Sequence, residues 1–184
     1  LEQGHGDVGG GVVGPAGHGL CEVAFGARDD QQGALHTLES DPSVGVGLQA
    51  LALTDRNGLY GVVRFAEAAR QLQLPTVFGA ELTPRCAGEH NSGHVVLLAQ
   101  GPQGYAYLSQ AITHGQLAGA KNEPQFHMAD LSGFARGSWK VLTGGVEGVV
   151  SQALIEHGPQ AGERKLYQLI DAFGANNVFV ELVH

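Results

Sequence analysis

The sequence has few cysteines and no long apolar run, and each shortage excludes a class of protein. Its 184 residues include two cysteines, Cys21 and Cys86, too few for a disulfide framework. A reducing, cytoplasmic compartment is therefore expected. No stretch approaches the roughly 20 continuous apolar residues of a membrane span, and no basic segment precedes an apolar one as in a secretory signal. We expect no membrane partner.

Basic residues are also scarce. The chain has 10 Lys and Arg against 18 Asp and Glu, which gives a formal net charge of -8. Nucleic-acid binding normally needs a clustered Lys/Arg surface, and the sequence contains no such cluster. The chain is therefore not expected to provide most of the binding affinity for a DNA duplex. Its 43% hydrophobic content is enough for the core of one domain.

The first 47 residues differ in composition from the rest. They hold 12 of the 29 glycines, and their apolar residues follow neither a strand period nor a helix period. We predict an irregular, glycine-rich lead over 1–47 and a folded domain over 48–184. Because the first residue is Leu1 and not methionine, we expect a fragment or a processed chain.

From residue 48 onward, apolar strands alternate with amphipathic helices. The pattern predicts strands over 48–54, 76–82, 94–99, 140–143 and 178–182. It predicts helices over 59–72, 105–117, 130–134, 149–157 and 160–173. This alternation is typical of a parallel sheet covered by helices, an α/β fold.

Several predicted strands end in polar or ionisable residues. Asp55 follows the first strand, Glu81 lies near the end of the second, and His184 follows the last. In parallel α/β folds the chemistry lies at the carboxyl ends of the strands. We therefore expect Asp55 to occupy a functional position at that edge of the sheet.

Four segments resemble one known family in the same order: LALTDRNGLYGVVRFAEAARQLQLPTVFGAEL, HVVLLAQGPQGYAYLSQAI, KVLTGGVEGVV and LIDAFGANNVFVELVH. They are similar to the PHP (polymerase and histidinol phosphatase) domain at the front of bacterial C-family replicative polymerases, and most similar to the error-prone branch. The resemblance implies a distorted (β/α)7 barrel, here incomplete at its amino terminus and truncated before the polymerase domains. It also implies a rim of His, Asp, Glu and Cys that can hold divalent metals such as zinc or manganese, which would activate water for phosphoester hydrolysis.

The chain keeps only part of the metal set that the resemblance implies. No two histidines are two residues apart, so the family's first His-x-His motif is missing. The usual Thr-Asp-His reads Thr54, Asp55, Arg56, and arginine offers no lone pair to a metal. Gly145 stands where metal-bearing relatives have cysteine. Four residues remain as candidates for metal ligation: Asp55, Glu81, His94 and His184.

Each candidate also has a structural interpretation. Asp55 suits a helix cap or a hydrogen-bond anchor at the barrel mouth, and we favour this over ligation because Arg56 is adjacent. Glu81 suits an ion pair with an arginine in place of a metal. His94 suits a rim histidine with ordinary hydrogen bonds. Catalytic residues are not predicted in this chain.

The sequence leaves three functions open. We favour a PHP-domain piece of an error-prone DNA polymerase, which would reach DNA through domains beyond this chain and could contact other replication or repair subunits. The alternatives are a stand-alone metal-dependent PHP phosphoesterase and a non-catalytic interaction module. Because the family-like sequence begins abruptly near Gly47, we also hypothesise that the glycine-rich lead is a frameshifted or mispredicted reading of the coding DNA.

Overall fold

The protein is an α/β domain built on one main sheet, seen here in a computed structural model that describes residues 11–12, 23–26, 50–85 and 93–182. The strands in chain order are β1 (Gly11–Val12), β2 (Val23–Gly26), β3 (Ala50–Arg56), β4 (Thr76–Leu82), β5 (Pro84–Arg85), β6 (Val95–Ala99), β7 (Phe126–His127), β8 (Trp139–Leu142), β9 (Val178–Phe179) and β10 (Glu181–Leu182). The helices are α1 (Val62–Gln71), α2 (Gly101–Ala118), α3 (Met128–Ala135), α4 (Val149–His157) and α5 (Pro159–Phe173).

The main sheet has the order β2-β3-β4-β6-β8-β9. Strands β2, β3 and β4 are parallel, as are β8 and β9, but β6 runs antiparallel to both of its neighbours. The expected all-parallel sheet is therefore wrong at β6. A parallel return needs a long crossover, usually a helix, and the described residues between β4 and β6 contain none. The result is a mixed, distorted barrel-like sheet.

Two short strands lie within the lead, where the sequence pattern indicated no strand. Strand β2 pairs with β3, from Val23 opposite Ala50 to Gly26 opposite Leu53. Strand β1 pairs antiparallel with β10, in a separate two-stranded sheet. The strand predicted over 178–182 is divided, because β9 joins the main sheet and β10 leaves it. The proposed domain boundary at residue 48 stays a prediction.

Alternation along the strands gives the sheet two buried faces. Val95 and Leu97 pack with α2 and α5 in the larger core, whereas Val96 packs on the other face with Ala52 and Leu142. The largest fully buried side chains are Trp139, Phe126, Leu82, Leu97, Leu108 and Leu131. In the described ranges we find no helix with both the length and the apolarity that a bilayer crossing requires.

Helix α1 forms because its apolar residues recur at a helical spacing. Phe65 and Ala69, four residues apart, are both buried, and Phe65 packs with Leu51 and Leu53 of β3 in a third core cluster. The helix thus covers the face of β3 that carries its odd-numbered residues. This placement decides where Asp55 lies.

Candidate functional site

One edge of the main sheet collects three of the four residues that the sequence singled out, Asp55, Glu81 and His94. The register places Arg56 opposite Glu81, Glu81 opposite Val96, and Val96 opposite Leu142. The carboxyl ends of β3, β4 and β8 therefore meet the start of β6 at this edge, which we call the rim. His94 precedes β6, so it reaches the rim only because β6 runs in the reverse direction.

Asp55 lies at the rim but on the helix-covered face. Its neighbour in the register is Ala80, whereas Arg56 is the residue paired with Glu81. Successive side chains of a strand point to opposite faces, so Asp55 shares the face of Leu53 and α1. The Gly61 N–H donates a hydrogen bond of 2.7 Å to Oδ2 of Asp55, which is buried. The structure thus separates Asp55 from Glu81, and Asp55 anchors the turn that leads into α1.

Glu81 is buried at the rim and is paired with a cation. The Arg56 Nε–H donates a hydrogen bond of 2.9 Å to Oε1 of Glu81. Only 7% of the Glu81 side chain is exposed, against 51% of the Arg56 side chain. Arg56 Nη2 also lies 3.8 Å from Oε2 of the exposed Glu147. The first contact is a charge-assisted hydrogen bond, and the second is a loose surface pair.

His94 lies beside the same carboxylate. Its Nδ1 is 3.7 Å from Oε1 of Glu81, beyond hydrogen-bond range but within ion-pair range if the ring is protonated. The backbone fixes its place, since the His94 N–H donates to the Glu147 carbonyl at 3.1 Å and the His94 carbonyl accepts from the Val149 N–H at 3.0 Å. The structure therefore brings His94 together with Glu81.

Sequence reasoning missed Glu181, which also belongs to the rim. Its Oε2 is shielded from solvent and has no hydrogen-bond partner among the described residues, while its backbone N–H donates to Thr143 Oγ1 at 3.0 Å. Burial raises the pKa of the Glu181 carboxyl, an effect opposed by the nearby His94 and by a backbone N–H of Gly144. The signal available in the sequence was a lone carboxylate inside the apolar run VFVEL.

A divalent metal does not fit the rim formed by the described residues. Within 50–85 and 93–182, no three His, Cys, Asp or Glu side chains gather closely enough to hold an ion. Asp55 lies on the other face, and Oε1 of Glu81 already accepts from a guanidinium. His184, the fourth candidate, lies outside the described residues. Arg56, Glu81, His94, Glu147 and Glu181 together are called the rim cluster below.

The described part of the chain also contains an apolar groove of about 840 Å³ between α1 and α2. Val63, Val77, Phe78, Pro102 and Tyr105 contribute to its walls. These residues belong to the start of β4 and to the outer helices, at the opposite end of the strands from the rim. The groove shares no residue with the rim cluster.

Comparisons with known proteins agree with the resemblance seen in the sequence. The PHP domain family matches residues 43–184. An error-prone DNA polymerase of Mycobacterium bovis is 47% identical over 145 residues, covering 76% of this chain and 13% of the relative. One from Cutibacterium acnes is 43% identical over 148 residues, again covering 76% of this chain and 13% of the relative.

This chain therefore spans only about 13% of the length of those relatives. Among solved structures, an amidohydrolase from Chromobacterium violaceum aligns with a TM-score of 0.49 and 13% identity, over 85% of this chain and 74% of that chain. That likeness is too weak to support an argument. The family match alone covers more than three quarters of the sequence, and the predicted resemblance is confirmed: the chain belongs to the PHP domain family.

Proposed function

We propose that this chain is the PHP domain of an error-prone DNA-directed DNA polymerase. The observation that carries the proposal is the 47% identity with such a polymerase across the region that forms the main sheet and its helices. Identity at this level over most of the chain is more than a shared fold alone requires. The parent protein would carry out nucleotidyl transfer during DNA replication or repair synthesis, in the cytoplasm.

Within that parent, we propose a non-catalytic role for this domain. The rim cluster supports this, because a guanidinium has no lone pair and no open coordination position with which to activate water. The net charge of -8 supports a domain that leaves the grip on DNA to other parts of the polymerase. Such a domain can act as a platform for its own chain or as a docking surface for replication and repair subunits.

Primer extension tests the proposal. The complete protein encoded by the gene that contains this sequence is expected to extend a primed template with deoxynucleotides, whereas the 184-residue chain alone is expected to extend none. Reading the coding DNA for metal-binding carboxylates of a polymerase palm gives an independent check. A complete protein that lacks such carboxylates and fails to extend the primer would refute the assignment.

A phosphoesterase assay separates the stand-alone enzyme from the domain proposed here. The chain is expected to hydrolyse p-nitrophenyl phosphate no faster with Mn²⁺ or Zn²⁺ than with a chelator. Chelator-sensitive turnover that disappears in both Glu81→Gln and His94→Ala would instead establish a phosphoesterase at the rim. Turnover that persists in both variants would point to a contaminant, and the non-catalytic role would stand.

A further inference from the structure

The rim cluster has an excess of negative charge in a partly buried place. Glu81 is almost wholly buried, Glu181 has one shielded oxygen, and Glu147 lies at the outer margin. A buried carboxylate is costly unless a cation or several hydrogen-bond donors accompany it. In proteins with clustered carboxylates, a divalent metal is one way to supply that charge.

Here the counter-charge comes from the polypeptide. Arg56 is held directly opposite Glu81 by the pairing of β3 with β4. A backbone hydrogen bond supports this contact, because the next residue, Asn57, donates its N–H to the Glu81 carbonyl at 2.8 Å. The guanidinium therefore needs little reorganisation to reach Oε1 of Glu81, and Nη2 extends toward Glu147.

We propose that the Arg56 guanidinium takes the place of a divalent metal ion as the counter-charge of the rim. Any metal that used Glu81 would first have to displace this guanidinium, and the described residues offer no three-ligand set in return. The domain therefore keeps its rim intact without metal. This inference goes beyond the polymerase assignment, since it holds for the domain whether or not the parent synthesises DNA.

Thermal unfolding of the full 184-residue chain tests the inference, with Mn²⁺ as the probe. The melting temperature of the native chain is expected to be the same in a chelator and in about 1 mM Mn²⁺. Arg56→Gln removes the cation and leaves the buried Glu81 carboxylate without a counter-charge. The melting temperature of this variant should therefore fall by about 5 °C in chelator. Mn²⁺ should then restore part of that loss, because the freed Glu81 carboxylate and the neighbouring His94 can bind the ion weakly with two ligands.

Three further variants make the test specific. Arg164→Gln, at an exposed position of α5, is the matched control and should neither lose stability nor gain from Mn²⁺. Arg56→Gln combined with Glu81→Gln should lose the Mn²⁺ effect, since the carboxylate is gone. Arg56→Lys retains a cation and should fold even if Arg56→Gln does not, with a smaller loss and no response to Mn²⁺.

Two results would overturn the inference. One is stabilisation of the native chain by Mn²⁺, reversed by chelator, because the rim would then already accept a metal. The other is an Arg56→Gln variant that responds to Mn²⁺ no more than Arg164→Gln does. Neither result bears on primer extension by the parent protein, so this inference and the polymerase assignment can fail separately.

Discussion

Three carboxylates at the rim, those of Asp55, Glu81 and Glu181, have different partners and different degrees of burial. Asp55 accepts a backbone N–H, Glu81 accepts a guanidinium N–H, and Glu181 lies near backbone N–H groups with one oxygen left unpaired in the described part of the chain. These differences decide how each residue responds to mutation and to pH. At the scale of residues, each carboxylate therefore has its own hydrogen-bond partner, although the charge of Glu81 also acts on Glu181.

Replacing Asp55 should weaken the entry to α1. Asp55→Ala leaves the Gly61 N–H without its acceptor in a buried place, and we expect a loss of about 1–3 kcal/mol in the free energy of unfolding. Asp55→Asn keeps an acceptor oxygen and should lose less. Urea unfolding measures both, with the exposed Asp171→Ala as a control expected to change stability by less than about 0.5 kcal/mol. Equal losses for Asp55→Ala and Asp171→Ala would contradict the anchoring role.

Glu181 should make the domain less stable as pH rises. Burial raises its folded-state pKa above 4.5, so the folded chain holds this proton more tightly than the unfolded chain does. The protonated carboxyl contributes its full stability below the unfolded-state pKa, and that stability is lost as pH rises through the folded-state pKa. Glu181→Gln, which cannot ionise, should therefore melt higher than the native chain at neutral pH, with a difference that is smallest in acid.

A melting series from acidic to neutral pH checks the Glu181 prediction. The exposed Glu163→Gln on α5 is the matched control, since it removes one carboxylate without removing a buried one. Its difference from the native chain should be small and nearly independent of pH. A Glu181→Gln difference that grew toward acidic pH would mean that the folded state prefers the ionised form, contrary to the prediction.

The sequence predicted some rim residues well and others poorly, for physical reasons. Glu81 was predicted at the rim because the end of a strand can be read from an apolar run, whereas His94 was named only through the family resemblance. An ion pair of Glu81 with an arginine was offered as an alternative to a metal, and the structure forms such a pair with Arg56. Glu181 was missed because its partners come from Thr143 and the residues after it, and no local pattern encodes contacts so distant in sequence.

At the scale of elements, periodicity found the helices and strands but not their direction. The strand at Thr76–Leu82 and the helix at Val149–His157 have the predicted bounds, because turn residues and apolar spacing mark them locally. The reversal of β6 was not predicted, since strand direction depends on how the chain returns to the sheet. His94 came to the rim through that reversal, although a parallel strand would have placed it at the opposite edge.

Strand β4 should tolerate no side chain at Gly79. A Cβ there would lie 2.5 Å from the Leu97 carbonyl oxygen and 2.8 Å from Cδ2 of Leu98, so β4 and β6 would have to separate. We expect Gly79→Ala to lower the free energy of unfolding by about 1–3 kcal/mol. The same substitution at Gly133, inside α3, meets no atom within 4 Å and should instead raise it by up to about 1 kcal/mol.

Chemical unfolding of the two glycine variants measures this contrast. Trp139 is the only tryptophan of the sequence, is fully buried, and donates its indole N–H to the Gly104 carbonyl at 2.8 Å. Its fluorescence therefore reports loss of the core directly. Stability changes of the same sign in Gly79→Ala and Gly133→Ala would show that the close approach of β4 to β6 does not govern the outcome.

At the scale of the whole molecule, the lead contributes to the main sheet. Strand β2 pairs with β3 over four residues, which leaves β3 with a neighbour on each side. The sequence did not predict this strand, because four residues among many glycines show no sustained period. Family membership was predictable, since it depends on long segments in a fixed order and not on any one strand.

Removing residues 1–47 should destabilise the domain. A chain that begins at residue 48 exposes the backbone N–H and carbonyl groups of β3 that now pair with β2, and an unpaired edge favours association with another chain. We expect lower solubility and a larger apparent mass in size-exclusion chromatography with light scattering. A truncated chain that remained monomeric, with an unchanged melting temperature, would show that the pairing of β2 with β3 does not stabilise the domain.

The frameshift hypothesis for the lead stays a prediction, and nucleotide sequence can test it. Translation of the same DNA in the other two frames is expected to give an His-x-His motif followed by an amphipathic helix. If neither frame does so, the glycine-rich lead is the true reading. If one frame does contain such a segment, a chain expressed with that segment in place of the glycine-rich lead would measure its effect on stability.

The reversed strand also has a consequence for the order in which the chain folds. Leu82 pairs with Val95, whereas Leu51 pairs with Thr76 and Val141 with Val178, at sequence separations about two and three times larger. Closing a shorter loop costs less chain entropy. We therefore expect the hairpin of β4 and β6 to form in the folding nucleus, so that substitutions there slow refolding, whereas those at β9 chiefly speed unfolding.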